Sequence, residues 1–195
     1  MILPVSAPTL TVFDLEYTAW SGSMAGHWLE PGQFKEVVQI GAVKLDGCDL
    51  SVLDELDLLV KPRINPVLSP YFENLTGISN DAVAARGLDF REAYGRFAAF
   101  VEGGPICAFG HDEWILEENL RLYGISDHPR LPPFTDLRRW FAACNVDPRG
   151  RHSCDLAPAL GLKLVGRAHN ALDDAKVLAA GAREMVRRGA VRPAA

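Results

Sequence analysis

Thr9 to Leu15 is an apolar, β-rich run, and the pattern returns at Val37 to Leu45 (Val-Val-Gln-Ile-Gly-Ala-Val-Lys-Leu) and Leu53 to Val60. This predicts three strands joined as a meander. Beyond Lys61-Pro62 the apolar spacing lengthens to that of helices. A short helix is expected over Pro66 to Asn74, with Gly77 as its C-cap. A longer one follows Asp89, where Phe90, Tyr94, Phe97 and Val101 share a face and Asp89 with Glu92 has capping-box spacing. Pro105 to Phe109 reads as a buried strand, Asp112 to Tyr123 as a helix, Phe134-Thr135 as a short strand end, Leu137 to Ala143 as a helix, and Asn170 to Arg188 as the last helix. A meander followed by helix, strand, helix, short strand and helices is an α/β pattern with a mixed sheet.

The chain has 195 residues, 48% of them hydrophobic, which suits a single domain with a substantial core. Residues 1–8 and 189–195 are expected as flexible tails, and there is no internal repeat. The stretch from Ala19 to Phe34, rich in Gly and Ser and carrying Trp20 and Trp28, is long for a hairpin connection. It reads equally as a working loop or as an insertion whose aromatics tuck onto the body. The first residues, Met1-Ile2-Leu3-Pro4-Val5, lack a basic start followed by a long apolar stretch, and no run approaches bilayer-spanning length, so a cytoplasmic protein without a membrane partner is expected. Cys48, Cys107, Cys144 and Cys154 show no zinc-holding spacing and read as reduced thiols.

A net charge of −5 would repel a polyanion. The objection weakens because four acids of one candidate site supply most of it, and two divalent cations would neutralise that site. Arg183, Arg187, Arg188 and Arg192 read as a solvated helix face running into a tail.

Asp14 and Glu16 lie two apart at the end of the first strand, so their side chains share a face while Leu15 points the other way. Hard cations such as Mg²⁺ take oxygen ligands, which makes this pair a half-site. Alone it says little, since average usage puts a D-x-E in about half of chains this long. His169 with Asp174, in the spacing H-x-A-x-x-D, is rarer, at a few per cent of such chains by order of magnitude. A histidine just before a helix has a pKa near neutrality and suits removal of a proton from an attacking water. With Asn170 as N-cap, Asp173 falls at N3 and is read as a capping acid, leaving Asp174 about 100° further round the helix for a metal. Between the adjacent Asp112 and Glu113, Asp112 is favoured because Leu116 and Leu120 at i+4 and i+8 can pack inward while it sits at the mouth. Asp136 is read as a helix cap. Four carboxylates and an imidazole are a set suited to metal-assisted phosphodiester hydrolysis.

Phe13-Asp14-Leu15-Glu16, Asp112 and His169-x-Ala171-x-x-Asp174, in this order, resemble the three motifs of the DEDDh superfamily, the DnaQ-like 3′–5′ exonucleases. Glu36 to Val43 is similar to that superfamily's second strand. Lys61-Pro62, Asn65-Pro66, Leu68-Ser69 and Tyr71 through Leu75-Thr76-Gly77-Ile78 resemble the Eri/KapD-like branch. No tyrosine follows Tyr123, which excludes the Tyr-containing variant of the third motif. The second motif, Phe109-Gly110-His111-Asp112, is one residue shorter before the acid than the branch's Trp-Gly-x-x-Asp, which leaves Glu113 as the alternative to Asp112.

The resemblance implies a ribonuclease H-like fold with a mixed five-stranded sheet flanked by helices. It implies two divalent ions, Mg²⁺ with Mn²⁺ as the alternative, with Asp14 bridging both, Glu16 and Asp174 completing the first and Asp112 supporting the second. The activity implied is 3′–5′ hydrolysis of single-stranded RNA or DNA ends to nucleoside 5′-monophosphates, with His169 as general base. Leu75 and Thr76 resemble positions that meet the terminal nucleotide, Tyr71 and His111 positions often filled by base-stacking aromatics, and Glu16 and His169 are implied to contact substrate as well. The competing readings are an oligoribonuclease-like degrader of very short oligonucleotides and a non-catalytic binding module of the same fold, against which the presence of a general base argues.

Overall fold

The computed structural model describes residues 7–163 and 166–189. Five strands, β1 (Thr9–Tyr17), β2 (Val37–Asp46), β3 (Val52–Leu59), β4 (Ile106–Ala108) and β5 (Phe134–Asp136), form one sheet in the order β3-β2-β1-β4-β5. β1, β2 and β3 pair antiparallel as the expected meander, while β4 and β5 join β1 in parallel. The mixed sheet follows from connection length: tight turns permit only antiparallel neighbours, and the long helical crossovers permit parallel ones.

Strand alternation divides the core into two. Leu10 and Val12 of β1 point to a layer made by α6 (Leu137–Ala143), α7 (Leu156–Ala159) and α8 (Ala171–Arg187), where Trp140, Phe141 and Leu178 are fully buried. Phe13 and Leu15 point to the opposite layer, built on α4 (Phe90–Phe100) and α5 (Asp112–Leu122), and Phe13 packs its ring 5.1 Å from that of Phe97. Burial of such large side chains on both faces supplies the main driving force for the fold. Asp14 and Glu16 continue the parity of Leu10 and Val12, so they face α8. Opposite Asp14 in the register stands Gly41. A β-carbon there would lie 2.0 Å from the backbone nitrogen of Leu172, so its absence lets the first turn of α8 touch the sheet beside the two acids.

Several boundaries differ from expectation. The helix expected over Pro66 to Asn74 is α2 (Pro70–Thr76), ended by Gly77 at φ 76°. The residues before it cannot start a helix, because the buried Glu36 carboxylate accepts from the backbone nitrogens of Arg63, Ile64 and Asn65, and Asn80 Oδ1 accepts from Leu68. Ser69 then caps at Phe72 N, with Pro70 in the first turn. Three short helices without a long apolar period were not anticipated: α1 (Ser23–Gly26), α3 (Asn80–Arg86) and α7. β3 begins and ends one residue earlier than expected. Asp89 does cap α4, through Arg91 N, but Glu92 pairs with Arg96 at 2.7 Å in place of closing a capping box. Asp136 caps α6 as read from sequence.

Pro8, expected in a flexible tail, accepts a hydrogen bond from Gly47 N. Residues 1–6 and 190–195, the rest of the expected tails with Arg192 among them, lie outside the described residues. Arg183 donates to Leu50 O, while Arg187 and Arg188 both pair with Glu184. The four cysteines are free thiols. No helix among the described residues is long and apolar enough to cross a membrane.

Candidate active site

Three distant segments meet over the carboxyl end of β1: the strand itself, the start of α5, and the Arg167–Asp174 turn into α8. Their shared cavity, about 270 Å³, is lined by Asp14, Glu16, Asp112, His169 and Asp174. Glu16, His169 and Asp174 each offer a donor atom within 4.8 Å of the other two. Asp14 joins them electrostatically. Its pKa stands well above the ordinary 3.8, first through burial, then through Asp112, Glu16 and Asp174. Glu16 is pushed up to about 8 by burial, with Asp174 and Asp112 adding to it. Asp112 rises to about 7, mainly by burial, with Glu113 adding and Arg138 opposing. Asp174 rises to about 6 by burial, against the lowering effects of the His169 N–H and of Ser153. Desolvated carboxylates this close resist sharing negative charge, which is the electrostatic condition a divalent cation relieves.

The third motif is held by its own backbone. Asn170 caps α8 by accepting from Asp173 N, as expected. The Asp173 carboxylate accepts from Arg167 N, ahead of the cap, and takes no place in the cavity lining. Asp174 Oδ2 accepts from His169 N at 3.2 Å, and His169 sits at φ 60°, a left-handed turn that presents its ring to the site. Asp174 Oδ1 is buried without a hydrogen-bond partner among the described residues. A buried carboxylate oxygen with no donor is a polar cost unless a cation completes it. Hard oxygen donors with one such orphan fit divalent metal ions. The His169 ring is half-buried, and its pKa is lowered by burial and by the neighbouring His152, whose ring centroid is 5.6 Å away.

Asp112 occupies the first residue of α5, directly after His111, whose side chain makes no cap bond, and lines the cavity; Glu113 does not. Tyr71 and Leu75 also line it, from α2. Two of the residues expected to meet substrate are not brought there. Thr76 is buried with its hydroxyl engaged at the end of its own helix, donating to Phe72 O and accepting from Ile78 N, and it lines a neighbouring cavity. His111 is exposed, outside the cavity lining, with its ring stacked on Trp114 at 4.1 Å. Met24, Trp28, Arg138, His152 and Ser153 do line the cavity without having been singled out for it. Met24 and Trp28 share the overlong loop after β1 that the sequence flagged, Trp28 as one of its aromatics; Arg138, His152 and Ser153 come from segments whose approach to β1 depends on the folded sheet.

A mixed sheet in the order 3-2-1-4-5 with four carboxylates and a histidine over β1 is the ribonuclease H-like arrangement that the sequence motifs implied. The RNase T exonuclease family model matches residues 11–181, and the chain belongs to that family. It is 23% identical over 192 residues to the rat (Rattus norvegicus) 3′-5′ exoribonuclease 1, covering 92% of this chain and 53% of that one. To the zebrafish (Danio rerio) ERI1 exoribonuclease 2 it is 28% identical, covering 92% and 35% respectively. The chain thus spans about half and about a third of those two relatives. The nuclease domain of 3′hExo bound to rAMP, a DEDDh family member, has the same fold, with TM-score 0.79 at 22% identity and 96% of each chain covered. The E. coli ExoI–ssDNA complex gives TM-score 0.68 at 18% identity, covering 92% of this chain and 40% of that one.

Proposed function

We propose that this protein is a metal-dependent exonuclease that shortens single-stranded RNA or DNA from the 3′ end, releasing nucleoside 5′-monophosphates. The observation that carries the reading is the convergence of Asp14, Glu16, Asp112 and Asp174, from three separate segments, on one cavity that His169 also enters. The relatives named exoribonucleases and the neighbour solved with single-stranded DNA support the substrate class.

Asp14, Glu16 and Asp174 would hold one divalent ion, and Asp14 with Asp112 a second, Mg²⁺ or Mn²⁺. Such ions, when bound, neutralise the phosphate and acidify water. His169 supplies the proton acceptor. Its lowered pKa keeps the ring neutral at physiological pH, and the bond from its backbone nitrogen to Asp174 fixes where the ring stands. The in-line attack places the water's oxygen on phosphorus, the proton goes to His169, and the P–O3′ bond breaks to leave a 3′-oxyanion that takes a proton from solvent to become the new 3′-hydroxyl. Arg138, whose guanidinium lies 4.8 Å over the Phe109 ring, adds positive charge to a cavity otherwise dominated by acids. A reducing, cytoplasmic setting is consistent with four free thiols.

The test is a time course on 5′-labelled single-stranded RNA and DNA, with Mg²⁺ or with chelator, for wild type, Asp14→Asn and His169→Ala. A ladder shortening from the 3′ end and lost in both variants is expected. Internal or chelator-resistant cleavage refutes the mechanism, and faster turnover of dinucleotides than of long strands would make the protein an oligoribonuclease-like degrader.

A further inference from the structure

Among the described residues that line the carboxylate cavity, Arg138 is the single lysine or arginine. Its backbone is fixed at the head of α6, where Asp136 Oδ1 accepts from Arg138 N at 2.8 Å and from Gly110 N at 3.2 Å, tying the end of β5 to the end of β4. The side chain is exposed, and its guanidinium lies over the Phe109 ring. The carboxylate nearest in sequence does not hold it: besides those two backbone bonds, Asp136 pairs with Arg139 at 3.6 Å. Among the described residues the Arg138 guanidinium has neither an ion pair nor a hydrogen-bond acceptor. A guanidinium stacked on an aromatic face keeps its in-plane N–H donors free for an anion.

We infer that Arg138 is a specificity-determining residue that binds the phosphate one nucleotide upstream of the scissile bond, so that the protein selects strands over dinucleoside monophosphates. This rests on the exonuclease reading of the carboxylate site. The sheet topology carries the argument. α8 delivers His169 and Asp174 on the β2 side of β1, where Gln39 Oε1 accepts from Ala171 N at 2.9 Å. Asp112 follows β4 and Arg138 follows β5, on the other side of β1 in the order β3-β2-β1-β4-β5. In-line attack from the His169 side expels the 3′-oxygen away from His169, towards Asp112 and Arg138. The nucleoside that carries this oxygen therefore leaves across β4 and β5, and its own 5′-phosphate is the next negative charge along the strand. That exit is otherwise acidic, since Asp112 has Glu113 and Asp136 as like-charged neighbours and Arg138 as the opposing charge. A guanidinium there turns a repulsive path into one with a phosphate-sized, bidentate partner that reads charge and no base.

The experiment compares KM and kcat for a dinucleoside monophosphate and for its 5′-phosphorylated form, which alone carries the upstream phosphate, in wild type, Arg138→Ala and Arg138→Lys. In wild type the 5′-phosphate lowers KM roughly tenfold, the scale of a charge-assisted hydrogen bond. Arg138→Ala brings that advantage below twofold, and Arg138→Lys keeps part of it. A second reading comes from fluorescence anisotropy of a 5′-fluorescein single strand in Ca²⁺, where the slope of log Kd against log salt falls by about 0.7 in Arg138→Ala, the share of one phosphate contact. An advantage of the same size in wild type and Arg138→Ala, with both substrates losing equally, assigns Arg138 to the scissile phosphate or to packing and overturns the inference. No advantage in wild type, or an unchanged salt slope, also overturns it. Wild type that cleaves neither dinucleotide nor longer strands refutes the exonuclease reading and this inference with it, whereas wild type that shortens strands with the advantage intact in Arg138→Ala refutes this inference alone.

Discussion

Replacing Glu16 by glutamine should stabilise the metal-free protein while destroying its metal site. Glu16 is buried, and its pKa in the fold is about 8 against an ordinary 4.5. The folded chain therefore holds that proton more tightly than the unfolded chain does. Stability from this group is fully present below pH 4.5 and is lost as pH rises towards 8, at about 1.4 kcal/mol per pH unit. At pH 7 the folded side chain is mostly protonated, and taking up that proton from neutral solution costs the metal-free fold at most about 3 kcal/mol, because protonating one acid of the cluster also relieves its neighbours. Glutamine keeps the shape and removes the charge. In a domain of this size that corresponds to a melting temperature higher by roughly 6 to 12 °C at the upper limit. With Mg²⁺ the gap should narrow or close, since a ligand at a hundred times its Kd adds about 2.7 kcal/mol to the wild type and less to the variant. Thermal scans followed by tryptophan fluorescence, in EDTA and in Mg²⁺ at pH 7 and pH 5, read both effects. A Glu16→Gln protein that melts at or below wild type in EDTA at pH 7, or whose advantage is as large at pH 5, would refute the electrostatic account of the cluster.

Asp112→Asn should lower kcat by at least a hundredfold and Glu113→Gln by less than fivefold, order-of-magnitude expectations for losing a metal ligand against a bystander; a greater loss from Glu113→Gln would transfer the role. In saturating Mg²⁺, kcat should rise with pH through an apparent pKa below 6.5, because burial and His152 lower His169 and only its neutral form accepts a proton. His169→Ala should remove that limb, and a limb centred well above 6.5 would contradict the assignment. Gly41→Ala sets a β-carbon against the backbone of α8 at 2.0 Å and should cost about 2 kcal/mol or more in urea unfolding, with activity falling further as Asp174 moves. Wild-type stability in that variant would show that α8 does not need the close approach.

Local chemistry already specified much of this molecule. The apolar, β-rich runs of β1, β2 and β3 yield strands whichever layer covers them, and the 3.6-residue stripe of Phe90, Tyr94 and Phe97 yields α4. Asn170 was legible as a cap, with Asp173 drawn to the helix start and Asp174 left free, because capping is decided within one turn. Asp14 and Glu16 were legible as a pair because strand residues two apart share a face. The short helices were not, since α1, α3 and α7 have no apolar period and form through tertiary contacts. The start of α2 was misplaced because the competing partners of its backbone, Glu36 and Asn80, come from other elements.

The cavity itself belongs to the folded sheet. Parallel pairing of β4 with β1 brings Asp112 in from nearly a hundred residues away in sequence, and Gly41 lets α8 deliver Asp174. Folding also draws Ser153, His152 and Arg138 to the acids, and turns Thr76 and His111 away from the pocket their motif positions had suggested. Each residue's intrinsic chemistry can be read along the chain. The shifted pKa values cannot, because they arise from burial and from charges that meet only in three dimensions.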